Sequence, residues 1–409
     1  MGIVPASFSV SILHGLSHMT SSRPLLPLIL ATIFSIVGLG MIVPVLPFQV
    51  EALGGEKGHA PYIFSAFSAA AVISTPIWGW LSDRIGRKPV LLASAGLTML
   101  SYLWLANVDT LVALYGSRVL AGLAAGWFAT SAAFIADVTS EQDRAKGMGF
   151  LGASFGIGFT IGPALGAWAV GHGSENFALP AYAAAGCAVI CVLLTLIWVK
   201  EPQRHVQDAT VRFATSVLTH PDISRLLVLH FTVHIVFTAM EGVFAIWAAS
   251  RFGLGAREVG MFLAYSGIVS VIVQGGIVRR LVPKLGEAKT VGLAVGTLAL
   301  TMLTLLMVDA PIWILVPMGL LALGMGLHGP AMQSLLSQVA PPSMKGGTLG
   351  NAQSAQSLAR VLGPAWGAAA FTAFGTESPF LIGFAVLAGA FVFAVILVRR
   401  FPKTRPALA

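Results

Sequence analysis

Twelve apolar stretches, each about 20 residues long, are the feature of this sequence that most limits its fold. A helix needs about 20 apolar residues to cross the hydrocarbon core of a bilayer, and none of these stretches alternates like a β-barrel strand. Only 10% of the residues are charged, against about 25% in soluble domains. We therefore predict an all-α integral membrane protein with spans at roughly 25–48, 60–81, 89–108, 111–136, 146–171, 178–199, 224–249, 258–278, 289–308, 312–338, 347–372 and 378–399.

Lysine and arginine are distributed unevenly between the two sets of predicted loops. Basic residues collect in the loops on the cytoplasmic side of a membrane. With the N-terminus in the cytoplasm, 19 of the 24 fall on that side, three (Lys57, Arg251 and Arg257) fall on the other, and Arg118 and Arg360 lie within spans. We expect a multi-pass protein of the inner (cytoplasmic) cell membrane with both termini in the cytoplasm. The net charge of +8 then reflects topology rather than nucleic-acid binding.

The longest polar internal segment, residues 200–223, divides the chain into two halves with similar sequence motifs. Residues 162–167 read GPALGA and residues 363–368 read GPAWGA, and the loop 79–92 has a degenerate copy at 276–291. In a transporter, parallel repeats of six spans place the substrate site between them. The predicted organisation is a cytoplasmic tail (1–23), a six-helix bundle (24–199), a linker (200–223), a second six-helix bundle (224–399) and a second cytoplasmic tail (400–409).

The strongest local motif is GWLSDRIGRKP at residues 79–89, between the second and third predicted spans. Its glycines permit close helix packing and a tight turn, and its proline suits the start of a helix. We predict that Asp83, Arg84 and Arg87 form a charge relay with Asp137, at the end of the fourth span, that holds the cytoplasmic side shut and breaks on opening. The alternative is a basic loop that acts only in topology.

Glycines at a spacing of four residues mark one face of the fifth predicted span. Gly158, Gly162 and Gly166, with Pro163 beside them, form a small-xxx-small packing surface. The glycine spacing over 156–162 also resembles a dinucleotide loop, but the segment lies inside an apolar run with no strand before it, which excludes that interpretation. Generic helix packing is the alternative to a role specific to transport.

Ionisable groups inside spans cost about 2.5–3.5 kcal/mol each on insertion, so each one is a functional candidate. Glu241 is the only carboxylate clearly inside a predicted span, and we predict that it couples transport to protons. The helical face of Glu241 also carries His230 and aromatic side chains, which suits a wet cavity. The alternative for Glu241 is a structural role in which a neighbouring helix supplies its polar partner. The alternative for His328 is a neutral ring packed in the protein interior. The predicted substrate-cavity residues are His234, Phe237, Phe244, Trp247, His328 and Arg360.

Residues from about 36 to 171 resemble the tetracycline exporters and the wider twelve-span drug/proton antiporter branch of the major facilitator superfamily. The resemblance is carried by GMIVPVLP at 40–47, the 79–92 loop, RVLAG at 118–122, FIAD at 134–137 and the glycine-rich fifth span. The second half is similar more loosely. The resemblance implies the major facilitator fold, with two pseudo-symmetric six-helix bundles, and proton movement linked to the arginine that opens RVLAG.

One departure from the tetracycline exporters concerns their acidic residues in the first and third spans. Alignment on the adjacent motifs places Ser35 and Ser101 at those positions. If the proton route of that family is lost here, Glu241 becomes a candidate for a relocated proton carrier.

The predicted function is a proton-coupled exporter (antiporter) of small apolar or amphipathic compounds or drugs, which works by alternating access as a monomer in the lipid bilayer and supports multidrug efflux and antibiotic resistance. The alternative is a carrier of a specific metabolite such as a sugar, an amino acid or an organic anion, with Arg118 and Arg360 favouring an anion. No nucleophile–base pair, metal-ligand cluster or phosphate loop indicates an enzyme. We expect no cofactor, no bound metal and no nucleic-acid partner.

Overall fold

The structure is a computed structural model that describes residues 25–171, 176–202, 220–341 and 344–398. Both predicted tails and most of the predicted linker lie outside these residues. The described chain folds into twelve long helical elements, of which eleven contain a stretch long and apolar enough to cross a membrane. They are α1 (Leu25–Ala52), α2 (Tyr62–Ile85), α3 (Arg87–Ala106), α4 (Leu111–Val138), α5 (Glu141–Val170), α6 (Ala178–Trp198), α7 (Pro221–Phe252), α8 (Ala256–Leu285), α9 (Glu287–Leu306), α10 (Leu315–Val339), α11 (Lys345–Phe374) and α12 (Ser378–Val398).

Each of the twelve predicted spans coincides with one of these elements, so the predicted all-α membrane fold is confirmed. Several helices start before the predicted span: α5 begins at Glu141 rather than 146, and α7 begins at Pro221 rather than 224. Apolar runs mark only the part of a helix that lies in hydrocarbon, whereas backbone hydrogen bonding continues through polar turns beyond it. Proline at the first helical position of α7 fits this start, because its missing N–H would lack a partner there in any case.

Three helices are interrupted inside their spans. α1 breaks at residues 43–45, α4 at residues 124–126, and α8 contains a π-helical turn over Val273–Ile277. Near the break in α4, the carbonyl oxygens of residues 122–124 accept hydrogen bonds from side chains of α2 and α3: Ser74 Oγ (2.8 Å), Trp78 Nε1 (2.7 Å) and Ser94 Oγ (2.6 Å). A broken helix is tolerated at membrane depth when neighbours satisfy its backbone in this way.

The two halves pack by the same plan. In the first half, α1 packs against α5, α2 against α4 and α3 against α6; in the second half, α7 packs against α11, α8 against α10 and α9 against α12. The halves meet through two matching pairs, α2 with α11 and α5 with α8. The fold therefore consists of two pseudo-symmetric six-helix bundles, as the repeated sequence predicts.

The glycine face of α5 packs against α1. A Cβ atom at Gly162 would lie 2.7 Å from the Val37 carbonyl oxygen and 2.8 Å from Gly40 Cα, and the neighbouring glycines of this face meet Ile36 and Met41 in the same way. Backbone atoms cannot move aside as the end of a side chain can. The absence of side chains at these positions is therefore what allows α1 and α5 to approach.

We expect Gly162→Ala to destabilise the first bundle by about 1–3 kcal/mol, because the added methyl group overpacks a backbone-to-backbone contact. Gly152→Ala on the same helix is the matched control, since no atom within the described ranges lies within 4 Å of a Cβ there. Thermal unfolding of the purified variants in detergent measures the difference. Equal midpoints for the two variants would contradict this account of the interface.

The two halves are close at one end of the bundle and apart at the other. Along the α5–α8 interface, a Cβ at Gly260 would lie 2.7 Å from Ala167 Cβ, and one at Gly267 would lie 2.6 Å from Thr160 Oγ1. Further along, the distance from a Cβ at Gly156 to Val271 is 3.8 Å. Beyond that point, no atom of the described residues lies within 4 Å of a Cβ placed at any of the next glycines of the two helices, Gly149, Gly152, Gly275 and Gly276.

The α2–α11 interface changes in the same direction. At one end, Gly58, just before α2, lies against Thr372 of α11. At the other end, no atom of the described part of the chain lies within 4 Å of a Cβ at Gly79, Gly346 or Gly350. The open end carries the 79–89 loop, and we call it the motif end; the closed end is called the far end. The gap between the bundles therefore faces the motif end.

Candidate functional site

Close packing of α7 and α11 brings the interior charges of the second half together. Thr238 Oγ1 on α7 donates to the Ala359 carbonyl (2.8 Å), and a Cβ at Gly363 would lie 2.9 Å from the Ile235 carbonyl oxygen. This contact places Arg360 of α11 near Glu241 of α7, where the two groups interact electrostatically. Glu241 is half-buried and makes no hydrogen bond within the described residues. A carboxyl group with one nearby cation and no fixed partner suits proton exchange.

Two of the predicted cavity residues are instead core residues of the second half. Trp247 is completely buried, with its ring centroid 5.2 Å from that of Phe380, and Phe244 is 2% exposed. The prediction that they line a cavity does not hold in this structure, because α7 turns this part of its face towards α12 near the closed end. Phe237, about two to three turns nearer the motif end, is partly exposed, and Arg360 is exposed.

His234 and His328 are also buried, and the structure brings them together with His230. The sequence indicated no metal-ligand cluster, whereas the ring nitrogens of these three histidines lie within 4.8 Å of one another. Sequence reasoning missed the third partner because His328 is about 100 residues away and reaches the others only through the packing of α10 on α7. The spacing of His230 and His234, four residues apart on one helical face, was the available signal.

Arg118 lies inside the first half rather than at the lipid surface. Its side chain is 2% exposed, and its guanidinium carbon lies 5.6 Å from the centre of the Tyr102 ring on α3. Nε donates a long hydrogen bond to Ser117 Oγ (3.4 Å), while Nη2 has no partner in the described chain. An interior cation without a carboxylate partner is costly to keep. Arg118 and the Glu241–Arg360 pair thus lie in opposite halves.

The 79–89 loop forms a charge cluster, which consists of Asp83, Arg87 and Asp137. Arg87 forms ion pairs with Asp83, four residues earlier, and with Asp137 Oδ2 on α4 at 2.7 Å. Arg84 is not part of the cluster: its guanidinium lies 4.1 Å above the Trp80 ring. All members of the cluster belong to the first half. In this structure the cluster is intact while the motif end is open, so it joins α2, α3 and α4 and does not hold the two bundles together.

Glu201 is a member of this region that the sequence reasoning missed. Its two carboxylate oxygens accept hydrogen bonds from the backbone N–H groups of Arg87 (2.6 Å) and Lys88 (2.8 Å), at the start of α3. A carboxylate at a helix N-terminus satisfies unpaired N–H groups and the helix dipole. No local pattern links Glu201 to a loop more than 100 residues earlier. The link depends on the packing of α6 along α3.

Gly86 is essential to this arrangement for two reasons. Its φ of +109° is a conformation that other residues avoid, and a Cβ there would lie 2.7 Å from Glu201 Oε1. We expect Gly86→Ala to lower the amount of folded protein, by at least about 1 kcal/mol of stability. Gly79→Ala, with open space around it, is the matched control. Size-exclusion chromatography and thermal unfolding of both variants measure the effect, and an unchanged Gly86→Ala protein would overturn this explanation.

Comparison with known proteins decides the family. The major facilitator superfamily model matches residues 28–364 and 280–409. The chain is 32% identical over 341 residues to the class G tetracycline resistance protein of Vibrio anguillarum, covering 80% of this chain and 85% of that protein. The chain belongs to the major facilitator superfamily.

Two further similar proteins complete the comparison. Multidrug resistance protein 2 of Bacillus subtilis is 27% identical over 374 residues, which cover 88% of this chain and 92% of that protein. A bacterial homologue of the human lysosomal transporter Spinster, solved in an inward-facing and occupied conformation, superimposes with a TM-score of 0.74 at 14% identity and covers 96% of this chain and 99% of that one. The predicted family is thus confirmed, and the family and the similar proteins point to a transporter.

Proposed function

We propose that this major facilitator protein is a proton-coupled exporter of small apolar or amphipathic compounds, including drugs, and that it works by alternating access. The observation that carries the proposal is the arrangement of the two bundles, which meet at the far end and separate at the motif end. A substrate can enter such a gap from one side of the membrane only. The similarity to tetracycline and multidrug resistance proteins supports drugs as the substrate class.

The motif end is the cytoplasmic end in this proposal. Its loops carry most of the lysine and arginine residues of the chain. This distribution favours a cytoplasmic position for these loops and for both termini. The structure then corresponds to a state open to the cytoplasm, the side from which an exporter in the inner membrane takes its substrate. The two bundles, 24–199 and 224–399, move as units joined by the 200–223 linker, and the protein acts as a monomer surrounded by lipid.

Proton coupling in this proposal uses the interior charges of both bundles. Glu241 binds the proton, and Arg360 stabilises the carboxylate when the proton leaves. Arg118 provides a positive charge in the first bundle, and its repulsion disfavours the binding of any other positively charged group in that bundle. Phe237 and Arg360, which are the accessible members of the predicted cavity set, contact the substrate.

Transport by proteoliposomes tests the proposal. With an acidic lumen and the motif end outwards, exchange of protons for substrate accumulates a panel of lipophilic dyes inside the vesicles. An ionophore that collapses the pH gradient abolishes the accumulation. Sugars, amino acids and organic anions run in the same assay identify a metabolite carrier instead. Gradient-dependent uptake of one of these metabolites, with no dye transported, would refute drug export.

The role of the charge cluster leads to a separate prediction. We expect Asp83→Asn to lower transport, because it removes the ion pair that joins α2 to Arg87 of α3. The amount of folded protein is expected to stay the same, because Arg87 remains paired with Asp137 and because the Asp83 side chain is 65% exposed. An exposed ion pair contributes only about 0–1 kcal/mol to stability. Dye transport and detergent-solubilised yield are measured for this variant and for Asp109→Asn, an exposed carboxylate at the far end. Normal transport by a well-expressed Asp83→Asn protein would show that the Asp83–Arg87 ion pair has no part in transport.

A further inference from the structure

The second bundle contains a buried cluster of three imidazole rings that the transport proposal does not use. His230 and His234 lie on α7 and His328 lies on α10, and they are 4%, 4% and 0% exposed. The ring centroids are 4.2–5.6 Å apart, and the nearest ring nitrogens of all three lie within 4.8 Å of one another. Three nitrogen donors from two facing helices are the ligand set that zinc and neighbouring transition metals bind.

Distances within this histidine cluster agree with a metal geometry. His230 Nδ1 and His328 Nε2 are 3.2 Å apart. Two nitrogens bound to one tetrahedral zinc ion, each at about 2.0–2.1 Å, are about 3.3 Å apart. The third nitrogen has to approach by about 1–1.5 Å to complete the site, a movement within reach of rotation about the side-chain bonds.

Hydrogen bonding around the rings prepares two of them for a ligand. His234 Nδ1 lies 2.9 Å from the His230 carbonyl oxygen, to which it donates, so the lone pair of His234 is on Nε2. A ring nitrogen that donates to a backbone carbonyl is the usual outer support of a metal-binding histidine. His328 Nδ1 is buried and has no partner among the described residues, so this ring has a single hydrogen bond, to His230.

We propose that His230, His234 and His328 bind one transition-metal ion of the Zn²⁺ class and thereby join α7 to α10. The fourth ligand is an anion such as hydroxide or chloride, because the imidazoles are neutral and Arg360 places a positive charge near His234. α7 packs chiefly on α11, and α10 packs chiefly on α9. The ion therefore connects two helix pairs within the second bundle. This site does not depend on the transport function.

Cobalt titration of the purified, untagged full-length protein tests the proposal, since a polyhistidine tag would itself bind metal. After treatment with a chelator, we expect one Co²⁺ per chain with the intense visible absorption of tetrahedral cobalt, displaced by Zn²⁺. Zn²⁺ also raises the midpoint of thermal unfolding, because it binds the folded state. A wild-type protein that shows neither tetrahedral Co²⁺ absorption nor a Zn²⁺-dependent midpoint would overturn the site.

Variants identify the ligands. We expect His328→Ala and His234→Ala each to weaken Co²⁺ binding at least tenfold. His59→Ala, which changes an exposed histidine near the far end, leaves it unchanged. Full-strength binding by both cluster variants would place the metal on the surface and refute the proposal. If a cluster variant fails to fold, the wild-type spectrum and stoichiometry alone decide.

Discussion

Glu241→Gln is expected to abolish proton-driven transport while leaving substrate affinity within about tenfold, or about 1.4 kcal/mol, of the wild type. Glutamine keeps the size and polarity of the side chain but can neither bind nor release the proton. Glu241 is half-buried beside Arg360 and makes no hydrogen bond within the described chain, so its replacement breaks no hydrogen bond there. Substrate contact with Phe237 does not require the charge.

Dye uptake into proteoliposomes under a pH gradient and equilibrium dye binding in detergent separate the two effects. Asp309→Asn is the control, because this exposed carboxylate lies in the loop between α9 and α10, away from the interior. Undiminished proton-driven transport by Glu241→Gln would show that coupling runs through other residues, with Asp137 and Arg118 as the next candidates. Loss of binding together with transport would make Glu241 a substrate ligand instead of a proton carrier.

Arg118→Ala is expected to reduce transport to the background of empty vesicles. Within the described residues, Arg118 Nη2 has no hydrogen-bond partner and the buried guanidinium forms no ion pair with a carboxylate. Removing an uncompensated interior charge relieves a desolvation cost, so the alanine variant is expected to unfold at the same temperature as the wild type or at a higher one. Loss of activity without loss of stability identifies a functional rather than a structural residue.

Arg118→Lys is the informative partner of this variant. Lysine keeps the positive charge but loses the planar guanidinium, which faces the Tyr102 ring in the structure. We expect partial transport. Full activity of Arg118→Ala would show that the interior charge has no part in coupling, and a strongly destabilised Arg118→Ala protein would show that the arginine is mainly structural.

The sequence was sufficient for the fold because hydrocarbon imposes simple rules. Apolar runs, the positions of basic residues and the recurrence of GPALGA as GPAWGA 201 residues later can each be recognised without knowledge of tertiary contacts. The twelve helices follow from these features. The packing of Gly162 was also accessible, since a four-residue glycine spacing defines a face without knowledge of the partner helix. What this glycine contacts, the backbone of α1, required the structure.

The candidate site was harder to predict because it depends on contacts between distant segments. Helical periodicity placed Phe237, Glu241 and Phe244 on one face, but this face runs from the interior into the packed core near the far end, so Phe244 is buried. Periodicity along one helix does not say where its neighbours end. Glu201 and the partnership of His328 with α7 were missed for the same reason.

The account depends most on the exchange of protons against substrate, and proton movement driven by a substrate gradient measures this directly. Vesicles are loaded with dye, diluted into dye-free buffer at equal pH inside and outside, and monitored with a lumenal pH indicator. We predict that dye efflux through the wild-type protein acidifies the lumen and that Glu241→Gln leaves the lumenal pH unchanged. Dye efflux through the wild type with no change in lumenal pH, or with lumenal alkalinisation, would contradict proton-coupled export.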